Sequence, residues 1–434
     1  MSRVYLDHAS TSPLRPAARA AMVEWLDQVG DPGRIHAEGL ASRYAVEQAR
    51  SQVAALLGAR NREVCFTSGA SVSIAAACWG AAERGAHQVV PAVEHSAVRL
   101  AAERHGAVTF VAPDGRGWTD PQAVLDAIRP DTALVHLQWG NHEVGTLQPV
   151  AEVVAGCRER GVLVHIDAAQ VVGRVPIDFR GLGADLLSVS AHKLGGPPGV
   201  GALLIRQGLR LRPLLVGGDQ ERARRAGAEN VPGLVGFGAA CAELAEPGRL
   251  DAEASAQRQL STRLLAALPP VAPRSAPDHH GDGAALPPTG GAHVGPGPDA
   301  GEPDPTPAER NGGGSEPPGG GAIEGLQLYG AAEPGARLPH LVCLGVEGIE
   351  PQAVLLGLDR MGIAAHSGSA CASEGLEPSP VLAAMGVDAH HSLRISTGWS
   401  SSDDDLTRLL TALPKVLDEL RALAAPVSAA RHPG

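Results

Sequence analysis

The sequence predicts an α/β protein with a largely parallel sheet in its larger part and a smaller α+β part. Three observations carry that expectation. Short, continuously apolar runs recur at Val89-Val90, Ala133 to Leu137, Val162 to Ile166, Leu186 to Val189 and Ala202 to Ile205, as expected of strands covered on both faces. Stretches of helical spacing separate them, which is the alternation that builds parallel sheets. Beyond about Leu326 the order changes to strand runs followed by a long helical pattern over Thr407 to Leu423, the mark of a second unit.

Each element has a local reason. Met1 to Asp7 enters a strand rather than a secretion signal, and no apolar run is long enough to span a bilayer, so a cytoplasmic protein is expected. From Ala41 to Leu57, Val46, Ala49, Val53, Leu56 and Leu57 fall on one helical face, and Gly58 follows as a stop. Phe66-Thr67-Ser68-Gly69-Ala70-Ser71 runs from a strand into a helix through small residues. Backbone N–H groups at such a helix start approach an anion closely, and the plain alternative is a helix cap by Ser71. Asp167 closes the run Val164-His165-Ile166, where α/β folds bind ligands or where a helix cap would stand.

From Gly281 to Gly320, glycine (12) and proline (9) make up 21 of 40 residues. So few aliphatic side chains cannot offset the entropy of ordering, and the stretch reads as a disordered insertion. Net charge of −11 over 434 residues argues against a polyanion as main partner. Cys65, Cys78, Cys157, Cys241, Cys343 and Cys371 show no metal-ligand or disulfide spacing. Cys371 alone sits among small flexible neighbours, His366-Ser367-Gly368-Ser369-Ala370, as an accessible thiol would.

Lys193 follows the run Leu186 to Val189 and is flanked by Ser190 and His192. An amine there suits imine formation with an aldehyde such as pyridoxal phosphate, with hydroxyl and imidazole for a phosphate; the alternative is a solvated charge. Arg394, in Ser392-Leu393-Arg394-Ile395-Ser396, is either a carboxylate clamp on a strand or a surface ion-pair residue.

Read in order, these stretches resemble the cysteine desulfurases, pyridoxal-phosphate enzymes of the class V aminotransferase group with fold type I. The resemblance rests on Tyr5 to Ala9, Phe66 to Ala70, Val93-Glu94-His95, Asn141 to Gly145, His165 to Gln170, Ser190 to Lys193, Gly217-Gly218 with Gln220-Glu221-Arg222, Ser367 to Cys371, and Ser392 to Arg394. It implies a fold type I transferase with a seven-stranded, mainly parallel sheet in residues 16–255. A smaller α+β domain would comprise 1–15 with 256–425, interrupted by the insertion at 272–322.

The resemblance also implies roles. Lys193 would hold the cofactor aldehyde, Asp167 the pyridine nitrogen and Gln170 the phenolic oxygen, while His95 stacks on the ring and moves protons. Ala70, Ser71, Ser190 and His192 would hold the phosphate, Arg394 and His142 would meet substrate, and His142 would also touch the cofactor. Cys371 would take sulfur from L-cysteine, leaving L-alanine, and pass it to an acceptor protein, an iron-sulfur scaffold or another thiolation partner; a homodimer is expected. Four departures from the family pattern stand out, three at single positions and one a charge pair. His142 replaces an asparagine, Ala228 a phosphate-binding threonine and Val72 a glutamate, while Asp31 and Arg34 add a charge pair near the site entrance. Another pyridoxal-phosphate activity, as a lyase or an aminotransferase-like enzyme, or a degenerate non-catalytic member of the fold, are the alternatives.

Overall fold

A computed structural model describes residues 3–269, 322–368 and 378–424. Of the insertion expected at 272–322, residues 272–321 lie outside the described residues, as does Cys371.

Seven strands form one sheet: β2 (Val64–Thr67), β3 (His87–Pro91), β4 (Ala107–Val111), β5 (Thr132–Gln138), β6 (Leu163–Asp167), β7 (Leu186–Ser190) and β8 (Gly201–Ile205), in the order β2-β8-β7-β6-β5-β3-β4. Only β8 runs against its neighbours, pairing antiparallel with both β2 and β7. The mainly parallel seven-stranded sheet expected from the sequence is therefore present.

The unbroken apolar runs have a direct cause. Alternate residues of a strand face opposite sides, and both sides here are packed. Val135, Val164, Leu187 and Leu204 enter the core shared with α1 (Pro16–Leu26), α2 (Ala37–Leu56) and the helix Val231–Leu244. Leu134, Leu163, Leu186 and Leu203 enter another, with Ala77 and Ala81 of α3 (Ala70–Ala81). By the same parity Gln138, Asp167 and Ser190, four residues beyond Leu134, Leu163 and Leu186, share the α3 side at the carboxyl ends of their strands. Register thus assigns the face of the sheet that carries the chemistry.

The helix predicted from Ala41 starts at Ala37 instead. His36 caps it, its ring accepting from Gly39 N at 3.2 Å, and the polar first turn hid that start from an apolar count. Gly58 does stop it, at φ +60°. The helix predicted over Thr407 to Leu423 spans Asp403–Ala424. Its first turn holds Asp403, Asp404 and Asp405, acids that suit the positive end of a helix dipole. The edge strand β4 has an irregular, half-exposed pattern that gave no sequence signal.

The remaining strands gather around a separate core. β9 (Leu326–Tyr329), β10 (Leu341–Val346) and β12 (Ser392–Ser396) make an antiparallel sheet, and β1 (Val4–Tyr5) pairs in parallel with β11 (Ile363–Ala364). Val4, Leu344, Leu393 and Leu413 pack together there. Because β1 joins this cluster, the next residues, Asp7 to Thr11, lie between β12 and Lys193: Ala9 N donates to Ser396 Oγ at 2.9 Å, and Ser10 O accepts from Lys193 Nζ at 3.0 Å. No helix among the described residues is long and apolar enough to cross a membrane.

Candidate active site

A cavity of about 360 Å³ opens where β5, β6 and β7 end and α3 begins. Ser68, Gly69, Ala70, Ser71, Val72, His95, Gln138, His142, Asp167, Gln170, Ser190, His192 and Lys193 line it. Nine of the residues singled out by sequence meet there: Ala70, Ser71, His95, His142, Asp167, Gln170, Ser190, His192 and Lys193. They come from five separate stretches of chain, brought together by sheet order.

One end of the cavity is built for an anion. α3 begins at Gly69, which sits at φ +139° and supplies no side-chain cap, so the first N–H groups of the helix keep their hydrogen-bonding capacity. Ser71 is therefore not the cap that the simplest sequence reading allowed. Backbone crowding requires glycine at 201, and the positive φ requires it at 69. A Cβ on Gly201 would lie 2.7 Å from Gly69 Cα and 2.5 Å from Val189 O, and one on Gly69 would stand 3.7 Å from Ser190 Oγ. Behind this end, Arg50 and Glu221 form a buried bidentate pair at 2.7 and 2.8 Å. Glu221 also accepts from Phe66 N at 2.7 Å, fixing the strand that leads into the turn.

Lys193 stands at the centre. Its Nζ donates to the carbonyls of Ala9 and Ser10. Burial pushes its ammonium down from 10.5 to about 7, and the Arg394 guanidinium pushes the same way, against the opposing pull of Asp7 and Asp167. A lysine so placed is substantially neutral, hence nucleophilic, near pH 7. Gln170 donates to the same Ala9 carbonyl at 2.8 Å.

Opposite the anion end, Asp167 is buried, accepting from Ala169 N at 3.0 Å. Burial raises its carboxyl above the ordinary 3.8, opposed by that N–H, by His142 and by Lys193. A cation or N–H donor in the cavity would restore its charge. His95 caps the helix Ser96–His105 by accepting from Ala97 N through Nδ1 at 3.0 Å. Burial, then His142 and Lys193, lower it to about 3, so it is neutral, and the cap leaves its proton on Nε2. His192 Nδ1 lies 3.2 Å from Thr11 Oγ1, and burial lowers it to about 4.

Arg394 does not line this cavity, yet it is no surface residue. It is buried on β12, with Nη1 donating to His142 O at 2.8 Å and Nη2 to Asp7 Oδ1 at 3.0 Å and Ser10 Oγ at 2.7 Å, while Nε has no partner among the described residues. His366 pairs with it through the backbone, so the chain entering 369–377 leaves from beside this arginine. Asp31 and Ala228 also lie away from the cavity. They share a separate surface groove with His36 and Glu229, and the expected Asp31–Arg34 pair forms at 3.0 Å on the exposed side. Val72 lines the cavity itself.

Several residues that support the site carry no role in the sequence reading, and Ser10 lies outside its motifs altogether. Asp7 and Ser10 hold Arg394, and the Ala9 carbonyl holds Lys193. Glu94 is buried with Oε1 accepting from Gln138 N and Oε2 unpartnered. Burial, then the neighbouring Asp167, lift it well above 4.5, since two carboxyls in one dry site cannot both ionise cheaply. One signal in the sequence was available and unused. The chain has only two lysines, Lys193 and Lys415, against 34 arginines, so a lysine at the end of a central strand stood out by scarcity.

The family model for aminotransferase class-V matches residues 4–278 and 321–409. This chain belongs to that family. A cysteine desulfurase of Gluconacetobacter diazotrophicus is 37% identical over 98% of this chain and 96% of its own length. The cysteine desulfurase IscS of Methanosarcina thermophila is 35% identical over 97% of this chain and 93% of its own. Among solved structures, a NifS-like protein superposes with a TM-score of 0.77 at 27% identity, covering 96% of this chain and 100% of that one. SspA, solved in complex with cysteine, gives 0.68 at 26% identity over 91% of this chain and 99% of its own. Within the family the chain groups with cysteine desulfurases.

The family's cofactor is pyridoxal 5'-phosphate. The cavity fits it by the chemistry of its donor set: a neutralisable amine at Lys193, an uncapped helix start for the phosphate, and a buried carboxyl at Asp167 that lacks a cationic hydrogen-bond partner.

Proposed function

We propose that this cavity converts L-cysteine to L-alanine and loads the released sulfur onto Cys371 as a persulfide. The observation that carries the reading is the amine of Lys193, held by two carbonyls between the helix start and Asp167. When bound, pyridoxal phosphate supplies an electron sink that weakens bonds to the substrate's α-carbon.

The chain's own residues do the rest. Lys193 would anchor the aldehyde, and Asp167 would keep a proton on the ring nitrogen. Ala70, Ser71, Ser190 and His192 would receive the phosphate, and Gln170 would meet the ring oxygen. His95 would stand against the ring, with Nε2–H available to donate. Arg394 exchanges its bond to Asp7 for the substrate carboxylate, and His142 meets substrate and cofactor from β5's end. In the sulfur step the C–S bond of cysteine breaks, its electron pair goes to carbon, and an S–S bond forms to the Cys371 thiolate.

The other cysteines support Cys371 as acceptor. The five cysteines among the described residues are buried free thiols. Burial pushes Cys65, Cys78, Cys157 and Cys343 up to about 12 and Cys241 higher still, so none offers a reactive thiolate. Residues 16–255 serve as the cofactor-holding domain, and 1–15 with 256–425 as the domain that brings Arg394 and Cys371. Two largely separate cores favour that division, with Ala9, Leu338 and Leu341 of the second set packing into the first core. The chain works as a homodimer: Val23, Leu26, Val29, Ile35, Leu40 and Tyr44 are exposed on and between α1 and α2, an apolar surface that a second copy would cover. Its sulfur acceptor is a protein of iron-sulfur cluster assembly or another thiolation pathway.

Mass spectrometry after incubation with L-cysteine tests the reading. One added sulfur on the Cys371 peptide is expected, and Cys371→Ser should lose it while retaining cofactor absorbance. Undiminished sulfur release by that variant would overturn the assignment.

A further inference from the structure

His142 is a second imidazole in the cavity, and its surroundings are unlike those of His95. Its ring meets His95 edge-on, with centroids 4.9 Å apart at 65°. On its other side Nε2 lies 3.5 Å from Glu143 Oε1, both side chains almost wholly buried. The carboxylate is itself fixed, because Glu143 Oε2 accepts from the Ser379 hydroxyl and Asn141 Oδ1 holds Glu143 N and Val144 N at 2.8 Å each. Nδ1 of His142 is buried and has no hydrogen-bond partner among the described residues. Facing the ring are Glu143, His95 of the helix Ser96–His105, Asp167 of β6, and Arg394 of β12, which holds the His142 carbonyl.

These contacts give the two imidazoles complementary atoms. On His95 the backbone of Ala97 occupies Nδ1 and leaves a proton on Nε2. On His142 the nearby carboxylate favours the proton on Nε2 and leaves a bare lone pair on Nδ1. One ring is arranged to give a proton and the other to take one. A carboxylate behind an imidazole both orients it and stabilises the imidazolium it becomes.

We propose that His142, backed by Glu143, is a general base that deprotonates the amino group of the incoming substrate, leaving His95 free for proton donation. The inference rests on the reading of L-cysteine as substrate. In the step, an N–H bond of the substrate ammonium breaks, its electron pair remains on nitrogen as the lone pair of the free amine, and an Nδ1–H bond forms. The imidazolium faces Glu143 and returns the proton to solvent when product leaves. Only a free amine can attack a carbonyl carbon or its imine, so this transfer must precede any chemistry at Lys193.

The experiment combines two readouts on the cofactor-loaded full chain. ¹⁵N-histidine NMR should show Nε2–H tautomers for both rings, with an unprotonated, non-hydrogen-bonded Nδ1 on His142. The pH dependence of kcat/KM for L-cysteine should lose one ionisation from its acidic limb in His142→Asn. His142→Ala should fall on the order of 10²-fold at pH 7, the size of a general-base contribution, and recover at least tenfold with added imidazole. Glu143→Gln should depress kcat/KM and weaken the His142 preference for Nε2–H in the same spectra, because the charge that favours that tautomer is gone. An Nδ1–H tautomer on His142, or an unchanged acidic limb in His142→Asn with no imidazole rescue of His142→Ala, overturns the proposal. Persulfide and alanine formation by the same samples reports separately on the activity itself, which can stand when this role fails.

Discussion

The state of Lys193 can be tested directly, because the chain carries its own reference. Lys415, the other lysine, is exposed on the helix Asp403–Ala424, whereas Lys193 is lowered from 10.5 to about 7 by burial and then by Arg394. At pH 7 about half of such an amine is neutral, against roughly one part in 3,000 for an ordinary lysine amine. The advantage in reactive form is on the order of 10³, and a less basic amine and a narrower approach reduce it to about 10². The assay is competitive labelling of cofactor-stripped protein with a small amine-reactive reagent between pH 6 and 9, with each lysine quantified by mass spectrometry. Lys193 labelling should level off above about pH 7.5, while Lys415 labelling keeps rising. Arg394→Leu should move the Lys193 midpoint upward, since it removes a like charge. Equal labelling of the two lysines at pH 7, or a Lys193 rate still rising steeply at pH 9, would refute the reasoning from burial and charge.

Gly201→Ala should destabilise the protein and impair cofactor retention together. Its Cβ would meet Val189 O at 2.5 Å and Gly69 Cα at 2.7 Å, and overpacking of that kind costs about 1–3 kcal/mol. Urea unfolding read alongside cofactor absorbance checks it, and a variant matching wild type in both would contradict the close approach. Acid should weaken the fold early. Burial lowers His8 and His165 from 6.5 to about 3, so between pH 6.5 and 3 the unfolded chain binds protons that the folded chain refuses, and stability falls as pH falls. Each group costs about 2 kcal/mol by pH 5. Unfolding midpoints at pH 7, 6 and 5 should therefore drop, and a flat profile over that range would show both imidazoles to be accessible to protonation in the fold.

Much of the fold was legible because its signals are local. An unbroken run such as Leu186 to Val189 reads as a two-faced strand whatever lies beside it, and Gly58 ends a helix by its own conformational freedom. Elements with mixed patterns escaped: β4 is half-exposed, and the polar first turn of α2 looked like loop. The site divided along the same line. Residue types at strand ends, Asp167 and Lys193 among them, were readable from position. The environment of Arg394 was not, since a surface ion pair and a buried clamp share one sequence pattern.

What the sequence by itself determined is therefore the order of elements and the chemical groups at their ends, because hydrophobic period, turn residues and side-chain identity are properties of short stretches. Tertiary structure decided which of those groups is charged, which is paired and which is free. The bond from Arg394 to Asp7 joins residues 387 positions apart, and the neutral amine of Lys193 and the lowered imidazole of His95 depend equally on distant neighbours. Protonation and hydrogen bonding answer to local dielectric and to charges a few ångströms away, and only the folded chain sets those distances.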